Sequence, residues 1–540
     1  MEASAITATM QTVGFMLAVL AAVAVAAKRL NIAPTILLVV AGLGIALVPG
    51  LPRVTLAPEV VLLVILPPLI YSAGVAMSWR DFHFNLRPIA LLAFGSVIFT
   101  TCAVAAAVHY LLKFDWSAGF LLGAIISPTD VVAPLAIARK LGLPRRVVVV
   151  LEGEGLANDA TALVLYKFAV AAVSTGTFSL GEAAGEFALI VVGEVIYGLA
   201  VGWLSLRLRQ WAHEPRVEIT LSLLTPFLAF WVPYHLGGSG VLATVACGLY
   251  VSWNGPLLIP PATRLQGIFF WDLIVYLVEG LVFLLTGLQA RILVEGTHVF
   301  SIHDLMVATI GVTLIVIIAR YIWVFPTTYI PRWVSRWLRK RDPSPRWQTV
   351  FFIAFTGMRG VDSLAVALAI PYLLDNGQPF PHRDLILFVT FGVIVVTLVG
   401  QGLMLPAVMR WLGLADIGRA EREEEKQAEL VARVAALDEV DKRFESFIAE
   451  RGLPDGAAEH IRTRNESRKQ ILPKNLDDAL TQTRITAGVK KDLIDAERVY
   501  IFQLLRDGKI TDEARRRIEY ELDLEEASLA NREKDGGGWI

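Results

Sequence analysis

Over its first 414 residues the chain alternates between long apolar stretches and short polar segments. Thirteen of these stretches approach the length of about 20 mainly apolar residues that a helix needs to cross a bilayer. They are residues 8–27, 33–49, 58–77, 88–112, 116–138, 147–173, 184–206, 217–235, 238–254, 266–290, 304–330, 348–372 and 384–413. The pattern predicts an all-α integral membrane protein with about 13 transmembrane helices.

The chain changes character after residue 414. Residues 415–540 hold 29 acidic and 23 basic side chains, whereas residues 1–414 hold 21 acidic and 26 basic ones. Apolar positions such as Leu430, Val434 and Leu437 recur there at helical spacing. We therefore predict a transmembrane domain at 1–414 and a soluble, helical, cytoplasmic tail at 415–540. The sequence leaves open whether that tail is regulatory, supports a dimer or simply presents solvated helices.

Composition agrees with a membrane protein. Hydrophobic residues make up 55% of the chain and charged residues only 18%, which is too apolar for a soluble protein of 540 residues. The two cysteines, Cys102 and Cys247, lie in apolar stretches and give neither a disulfide framework nor a zinc-site spacing. We expect no cofactor, no enzymatic activity and no nucleic-acid partner.

Lysine and arginine residues in the short loops predict the orientation, because loops rich in them stay in the cytoplasm. One alternate set of loops carries 18 of these residues and the other set carries 4. This asymmetry predicts an N-terminus outside and a cytoplasmic tail, in the plasma or inner membrane of the cell.

Charged residues interrupt three apolar stretches near their middles. Asp130 follows a Ser-Pro-Thr break, Asp159 ends the run EGEGLAND at 152–159, and Arg359 lies in GMRGVD at 357–362. A charged side chain at bilayer depth costs at least about 2.5–3.5 kcal/mol on insertion scales, so it needs a partner, a watery cavity or a function. Three such stretches in one chain indicate a pathway for ions.

Two of the stretches, 116–138 and 348–372, contain helix-breaking residues. With the first stretch set aside, we predict that the other twelve form two inverted six-helix repeats, with one break in the fourth member of the first half and the other in the fifth member of the second half. Paired interruptions of this kind are typical of inverted-repeat transporters with a binding site at the membrane midplane. This repeat prediction depends on position alone.

Helical geometry separates the polar residues of 147–173. Glu154 and Asn158 are four residues apart and share a face, while Asp159 is turned by about 100° from Asn158. We predict that Glu154 and Asn158 belong to a structural polar network and that Asp159 faces a cavity. We also predict that Glu154 pairs with Arg359, since each charge then relieves the desolvation cost of the other.

Asp130 and Thr129 follow directly on a break that frees backbone groups at the midplane. Thr129 offers a hydroxyl and a carbonyl oxygen to a dehydrated cation. For Asp130 the sequence leaves two interpretations open, because it can ligate the cation or cap the following half-helix. One exposed carboxylate that accepts either a proton or a cation, combined with alternating access, gives obligatory exchange.

Three other functions fit less well. A cation channel would be expected to show pore-lining repeats or a carbonyl filter motif, and the sequence has neither. An intramembrane aspartyl protease would also use aspartates on two helices, but its Gly-x-Gly-Asp context is absent. A symporter for an organic acid would need an exposed midplane arginine, whereas Arg359 is predicted to be paired.

Five segments carry a resemblance to a known family, namely LPPLIYSAG (66–74), GAIISPTDVVAP (123–134), EGEGLANDATAL (152–163), FLLTGLQ (283–289) and GMRGVDSLAVALAIP (357–371). In this order they closely resemble the electroneutral sodium/proton exchanger family, class 1 of the monovalent cation:proton antiporters, in a bacterial-type form with a soluble tail. The resemblance implies a homodimer whose core domain holds crossed, broken helices and whose dimerisation domain is separate.

The resemblance also implies roles for individual residues. Asp159 would carry the transported ion, cation or proton, with Asp130 and Thr129 beside it. The residues that resemble the family's structural polar network are Glu154, Asn158, Arg359 and Arg320.

Two positions depart from the family pattern. Gly155 stands where the motif usually has a serine, so one hydroxyl ligand is missing and we expect water in its place. Asp362 stands where a small apolar residue is common, and it either pairs with Arg359 at helical spacing or adds a second titratable group to the site. Glu279 also has two interpretations, a structural role or a position facing the core domain.

Together the residues and the resemblance predict a secondary active antiporter that exchanges Na⁺ for H⁺ one-for-one, without net charge movement. Such a protein would serve sodium and pH homeostasis. Cavity size and ligand count are not fixed by the sequence, so a K⁺/H⁺ antiporter is the alternative and a cation channel is the weaker one. The expected partners are Na⁺, Li⁺ or K⁺, protons, membrane lipid and a second copy of the chain.

Overall fold

The computed structural model describes residues 2–30, 32–49, 56–176, 179–296, 301–374, 377–451, 455–470, 476–507 and 509–534. Regular structure in these ranges is helical, apart from one isolated antiparallel bridge between Leu373 and Pro379. The helices are α1 (Glu2–Leu30), α2 (Pro34–Ala46), α3 (Pro58–Ala76), α4 (Trp79–Phe84), α5 (Leu86–Leu112), α6 (Trp116–Ile126), α7 (Val132–Leu141), α8 (Arg145–Thr175), α9 (Leu180–Ala212), α10 (Pro215–His235), α11 (Val241–Leu258), α12 (Pro261–Leu288), α13 (Ala290–Gly296), α14 (Ile302–Val334), α15 (Arg336–Arg341), α16 (Trp347–Phe355), α17 (Val361–Leu368), α18 (Arg383–Trp411), α19 (Leu414–Arg451), α20 (Asp455–Gln470), α21 (Leu476–Arg506) and α22 (Asp512–Lys534). Single π-helical turns lie within α3, α5 and α18, at Val61–Ile65, Leu91–Ser96 and Val396–Gln401.

Contacts divide the chain into two compact units, 1–419 and 420–540. In the second unit, α21 and α22 pack together through the buried side chains of Ile494, Ile501 and Leu522. The assignment of this unit to the cytoplasm and to regulation stays a prediction.

All thirteen predicted stretches coincide with helices. Within the described ranges, ten helices are long and apolar enough to cross a membrane, and the shorter apolar helices α2 and α6 match the predicted stretches 33–49 and 116–138. The all-α prediction is confirmed, whereas the number of crossings and the inverted repeats stay predictions.

Two of the predicted stretches are each divided into two helices. The chain leaves helical geometry at 127–131, between α6 and α7, and again at 356–360, between α16 and α17. Pro128 lies in the first break, where its missing N–H removes a helical hydrogen bond. Gly357 and Gly360 lie in the second break, where they disfavour continued helix. Each break leaves backbone groups that need other partners.

Helix α8 runs beside the first break. It packs against α6, against α11 and against the π-helical turn of α5. Glu154, Asn158 and Asp159 lie near the middle of α8, so packing brings these polar side chains next to the backbone that the break has freed.

Candidate cation site

The two breaks meet each other through the main chain. The Asp130 N–H donates to the Met358 carbonyl over 2.8 Å. This close approach requires a glycine, because a Cβ built on Gly360 would lie 2.5 Å from the Cβ of Asp130. The GMRG sequence thus places the second break directly against the first.

An arginine stands at the end of the first half-helix at each break. Nη1 of Arg359 donates to the carbonyls of Ser127 and Pro128, the latter at 2.9 Å, just after α6. Arg320 donates from Nε and Nη2 to the Ile353 carbonyl near the end of α16, over 3.2 and 3.0 Å. Since a helix C-terminus carries partial negative charge, both guanidinium groups stabilise the ends they meet.

An aspartate stands at the start of the second half-helix at each break. Oδ1 of Asp130 accepts the Val132 N–H over 2.8 Å and so caps α7, which is one of the two interpretations that the sequence left open. Its Oδ2 is buried and has no hydrogen-bond partner in the described parts of the chain. Asp362 lies in the first turn of α17. Negative charge is favourable at both positions because helix N-termini are partially positive.

Glu154 forms its ion pair with Arg320. The Arg320 Nη1 and Nη2 atoms donate to the two carboxylate oxygens of Glu154 over 2.5 and 2.9 Å, and both residues are at most 2% exposed. The predicted pairing of Glu154 with Arg359 is therefore wrong. Arg359 is engaged by the carbonyls freed at the first break, while Gly357 leaves room for Arg320. A Cβ on Gly357 would lie 2.2 Å from Cδ of Arg320.

Thr129 and Asn158 complete this polar network. The Thr129 hydroxyl donates to Oε1 of Glu154 over 2.7 Å. Asn158 Nδ2 donates to the carbonyl and the hydroxyl oxygen of Thr129, over 2.8 and 3.1 Å. Both Thr129 oxygens that we predicted as cation ligands are thus engaged in hydrogen bonds of the network in this structure.

Asp159 lies on the wall of a small cavity, on a different face of α8 from the network. The cavity has a volume of about 10 Å³, roughly the space of one water-sized sphere. Asp362 from α17 lines the same cavity. The remaining lining residues are Pro128 and the apolar Leu62, Leu66, Ala124, Ile125, Ala162, Leu163 and Val366. Two carboxylates in an otherwise apolar cavity provide oxygen ligands for a small cation.

The structure tests whether Asp362 pairs with Arg359, which is one of its two interpretations. Arg359 directs Nη1 to backbone carbonyls, and no ion pair joins it to Asp362 in the part of the chain that the structure describes. Asp362 instead shares the cavity with Asp159. The predicted helical pair of Arg359 and Asp362 is therefore not formed.

The space beside Gly155 is occupied by an apolar side chain. A Cβ built on Gly155 would lie 2.4 Å from a methyl carbon of Val131. Val131 thus fills the space into which a side chain at 155 would extend. Water in place of the serine hydroxyl stays a prediction.

Two further acids lie away from this cavity. Glu279 is half-buried on α12 and is not part of the cavity wall. Glu194 on α9, which sequence reasoning missed, is 3% exposed and accepts N–H groups of Gly240 and Leu242 over 2.9 and 3.0 Å. It caps the start of α11. The sequence features that could have indicated this role are an acidic residue in an apolar stretch and the Gly-Gly-Ser-Gly turn that it faces.

Comparisons with known proteins identify the family. The model of the transmembrane sodium/hydrogen exchanger family matches residues 15–411. An uncharacterized Na⁺/H⁺ exchanger of Mycobacterium bovis is 34% identical over 513 residues, which span 93% of this chain and 92% of the relative. A sodium, potassium, lithium and rubidium/H⁺ antiporter of Bacillus pumilus is 33% identical over 386 residues, 68% of this chain and 57% of the relative.

The fold also matches a solved structure. The sodium proton antiporter MjNhaP1 from Methanocaldococcus jannaschii aligns with a TM-score of 0.59, over 76% of this chain and 99% of its own, at 18% identity. The resemblance carried by the five sequence motifs is confirmed, as is the prediction of a multi-pass membrane protein that is a transporter and not an enzyme. The chain belongs to the transmembrane sodium/hydrogen exchanger family.

Proposed function

We propose that this protein is a secondary active antiporter that exchanges Na⁺ for H⁺ across the membrane, with Asp159 holding cation and proton in turn. One observation carries the proposal. The Asp159 carboxylate lines a mainly apolar cavity and has neither an ion pair nor a hydrogen bond in the described ranges, whereas Glu154, Arg320 and Arg359 are engaged by other protein groups. A carboxylate at bilayer depth without a protein partner needs a proton or a cation to neutralise it.

Exchange follows from mutual exclusion at this carboxylate. A bound cation must displace the proton, and a returning proton must displace the cation, because protonation removes the negative charge that holds the cation. Alternating access then requires that Asp159 be neutralised before the site changes sides, since an uncompensated charge is costly at bilayer depth. Asp130, whose Oδ2 has no hydrogen-bond partner among the described residues, can assist the cation during transport. Thr129 can do so only after giving up its hydrogen bonds with Glu154 and Asn158.

Potassium is the alternative cation. The Bacillus pumilus relative is named as an antiporter of sodium, potassium, lithium and rubidium. That name is a precedent for exchange of potassium as well as sodium by one protein. Hard monovalent cations all prefer oxygen ligands and differ mainly in size. We place Na⁺ first because the matching family model and the Mycobacterium bovis relative are both named for sodium/hydrogen exchange.

We further propose a homodimer in the plasma or inner membrane, with the N-terminus outside and the second unit in the cytoplasm. The excess of lysine and arginine in one set of loops supports this orientation. Exchange of Na⁺ and H⁺ in such a membrane would contribute to sodium and pH homeostasis. Lipid surrounds the membrane unit, and the cations and protons are its cargo.

Proteoliposomes test the proposed function. Purified full-length protein is reconstituted with a pH-sensitive dye inside, and Na⁺, Li⁺ or K⁺ is added outside. We expect each active cation to drive proton movement, with Na⁺ half-maximal at a lower concentration than K⁺. The reverse order would assign the protein to K⁺/H⁺ exchange, and cation uptake without proton movement would indicate a channel.

Membrane voltage tests the predicted one-for-one exchange. Two carboxylates share the cavity, but like charges in an apolar space repel, so the pair of Asp159 and Asp362 carries one negative charge at most. One proton or one cation neutralises it, and the two loaded states then have equal charge. With the vesicle potential clamped by valinomycin and potassium, the rate and end point of sodium-driven proton flux should not change with voltage. A voltage-dependent end point would mean that Asp362 also releases its proton.

A further inference from the structure

Three arginines surround one carboxylate at the end of the membrane unit where the basic loops lie. Arg146 at the start of α8 and Arg332 in the last turn of α14 donate to the two oxygens of Asp342, over 2.7 and 2.5 Å. Nη1 of Arg87, from the first turn of α5, lies 3.8 Å from Oδ2 of Asp342. We call Arg87, Arg146, Arg332 and Asp342 the arginine pocket.

The arginine pocket carries more positive charge than it can neutralise. Three guanidinium groups face one carboxylate, which leaves a surplus of two positive charges. The neighbouring carboxylate of Asp81 is engaged by Arg145 at 2.8 Å. Arg332 is 4% exposed and is paired with Asp342, whereas the side chains of Arg87 and Arg146 are 33% and 37% exposed. The surplus positive charge therefore lies on partly exposed groups that an anion can reach.

Arg87 has a donor free for such an anion. Its Nη1 atom is buried and makes no hydrogen bond within the described residues, because 3.8 Å to Asp342 exceeds hydrogen-bond length. Guanidinium groups bind phosphate oxygens through pairs of parallel N–H bonds. A phosphate oxygen in the pocket would therefore accept a hydrogen bond from Nη1 of Arg87.

Two cavities adjoin the arginines. The first, of about 60 Å³, is lined by all three arginines and continues along apolar residues such as Leu92 and Val324. The second, of about 410 Å³, shares Arg332 and is lined by Tyr329, Trp333 and Arg339. Trp333 is 80% exposed. Exposed tryptophan beside basic residues is typical of the membrane–water interface.

We propose that the arginine pocket binds the phosphate of an anionic phospholipid, whose acyl chains lie along the apolar and aromatic side chains beside Trp333. Basic pockets between transmembrane helices are suited to anionic lipid headgroups. Free phosphate is anionic like the headgroup, but it has no apolar part that could contact the apolar wall of the first cavity or the exposed indole. The combination of charge with apolar surface thus favours lipid.

Melting of the full-length protein in detergent tests the proposal. Phosphatidylglycerol, phosphatidylcholine and inorganic phosphate are added separately at matched concentrations. We expect phosphatidylglycerol to raise the melting temperature of the wild type in a saturable manner, because a ligand that binds the folded state stabilises it. Phosphatidylcholine and phosphate should have little effect. An equal shift with phosphatidylcholine would overturn the proposal, and an equal shift with phosphate would replace lipid with a free anion.

Substitution of Arg87 provides the site-specific arm. Arg87→Gln should raise the half-saturating concentration of phosphatidylglycerol about tenfold, as expected for the loss of one charge-assisted hydrogen bond. Arg87→Lys, which keeps the charge, should fall between this variant and the wild type. The matched control is Arg216→Gln, which removes an exposed positive charge from another basic loop. A wild-type response in Arg87→Gln, or the same loss in Arg216→Gln, would reject the pocket as the binding site.

Discussion

The Asp159→Asn variant is expected to lose cation-driven proton movement completely, down to the rate of protein-free vesicles. An amide neither releases a proton nor binds a cation with a full negative charge, so the exchange step at the cavity wall is removed. Sodium-driven dequenching of a pH-sensitive dye in proteoliposomes measures this loss. Asp362 would remain in the cavity, and its failure to support exchange would separate the roles of the two carboxylates.

The control is Asp272→Asn, the same chemical change at an exposed position of α12. This variant should keep wild-type exchange. Asp159→Asn should also keep the wild-type melting temperature, because in the described structure its carboxylate has no protein partner to lose. Normal exchange by purified Asp159→Asn would contradict the assignment of Asp159, and a collapsed melting temperature would indicate a structural role instead.

The Arg320→Met variant is expected to be strongly destabilised, by about 3–5 kcal/mol, since it leaves a buried carboxylate without its partner. Glu154 is 1% exposed, and Thr129 would be the one side-chain donor left to it among the described residues. Melting temperature and purified yield should both fall. Addition of Glu154→Gln to Arg320→Met should restore part of the lost stability, because it removes the uncompensated carboxylate charge.

A second double-mutant cycle serves as the control. Arg359→Met should also destabilise, because the carbonyls of Ser127 and Pro128 lose their donor. Glu154→Gln should not rescue this variant, since no hydrogen bond or ion pair joins Arg359 to Glu154 among the described residues. The coupling energy between positions 154 and 320 should therefore exceed that between 154 and 359. Equal coupling in the two cycles would mean that the ion pair is not specific to Arg320.

Much of the fold could be predicted because a bilayer restricts what an apolar chain can form. All backbone polar groups must be satisfied internally, so long apolar stretches become helices. The breaks at 127–131 and 356–360 were also predictable, because proline and paired glycines mark them locally. The number of crossings and the symmetry of the halves depend on placement in a membrane, which local pattern does not determine.

The pairing of charges in the site could not be read in the same way. Helical spacing correctly separated Asp159 from Glu154 and Asn158, since that geometry is local to α8. The partner of Glu154 is a long-range property, and two buried arginines were available for it. Which arginine pairs with Glu154 depends on which one donates to the freed carbonyls and on the space beside Gly357. Neither can be predicted from the sequence, because both arise only when the two breaks pack together.

The contact between Gly155 and Val131 has a consequence for how the site can be changed. A serine introduced at 155 in the present chain would collide with the Val131 methyl, which belongs to a stiff, β-branched side chain. Val131 must therefore shift or become smaller before a hydroxyl at 155 can be accommodated. The two positions are coupled, so Gly155→Ser should be tolerated better together with Val131→Ala than alone.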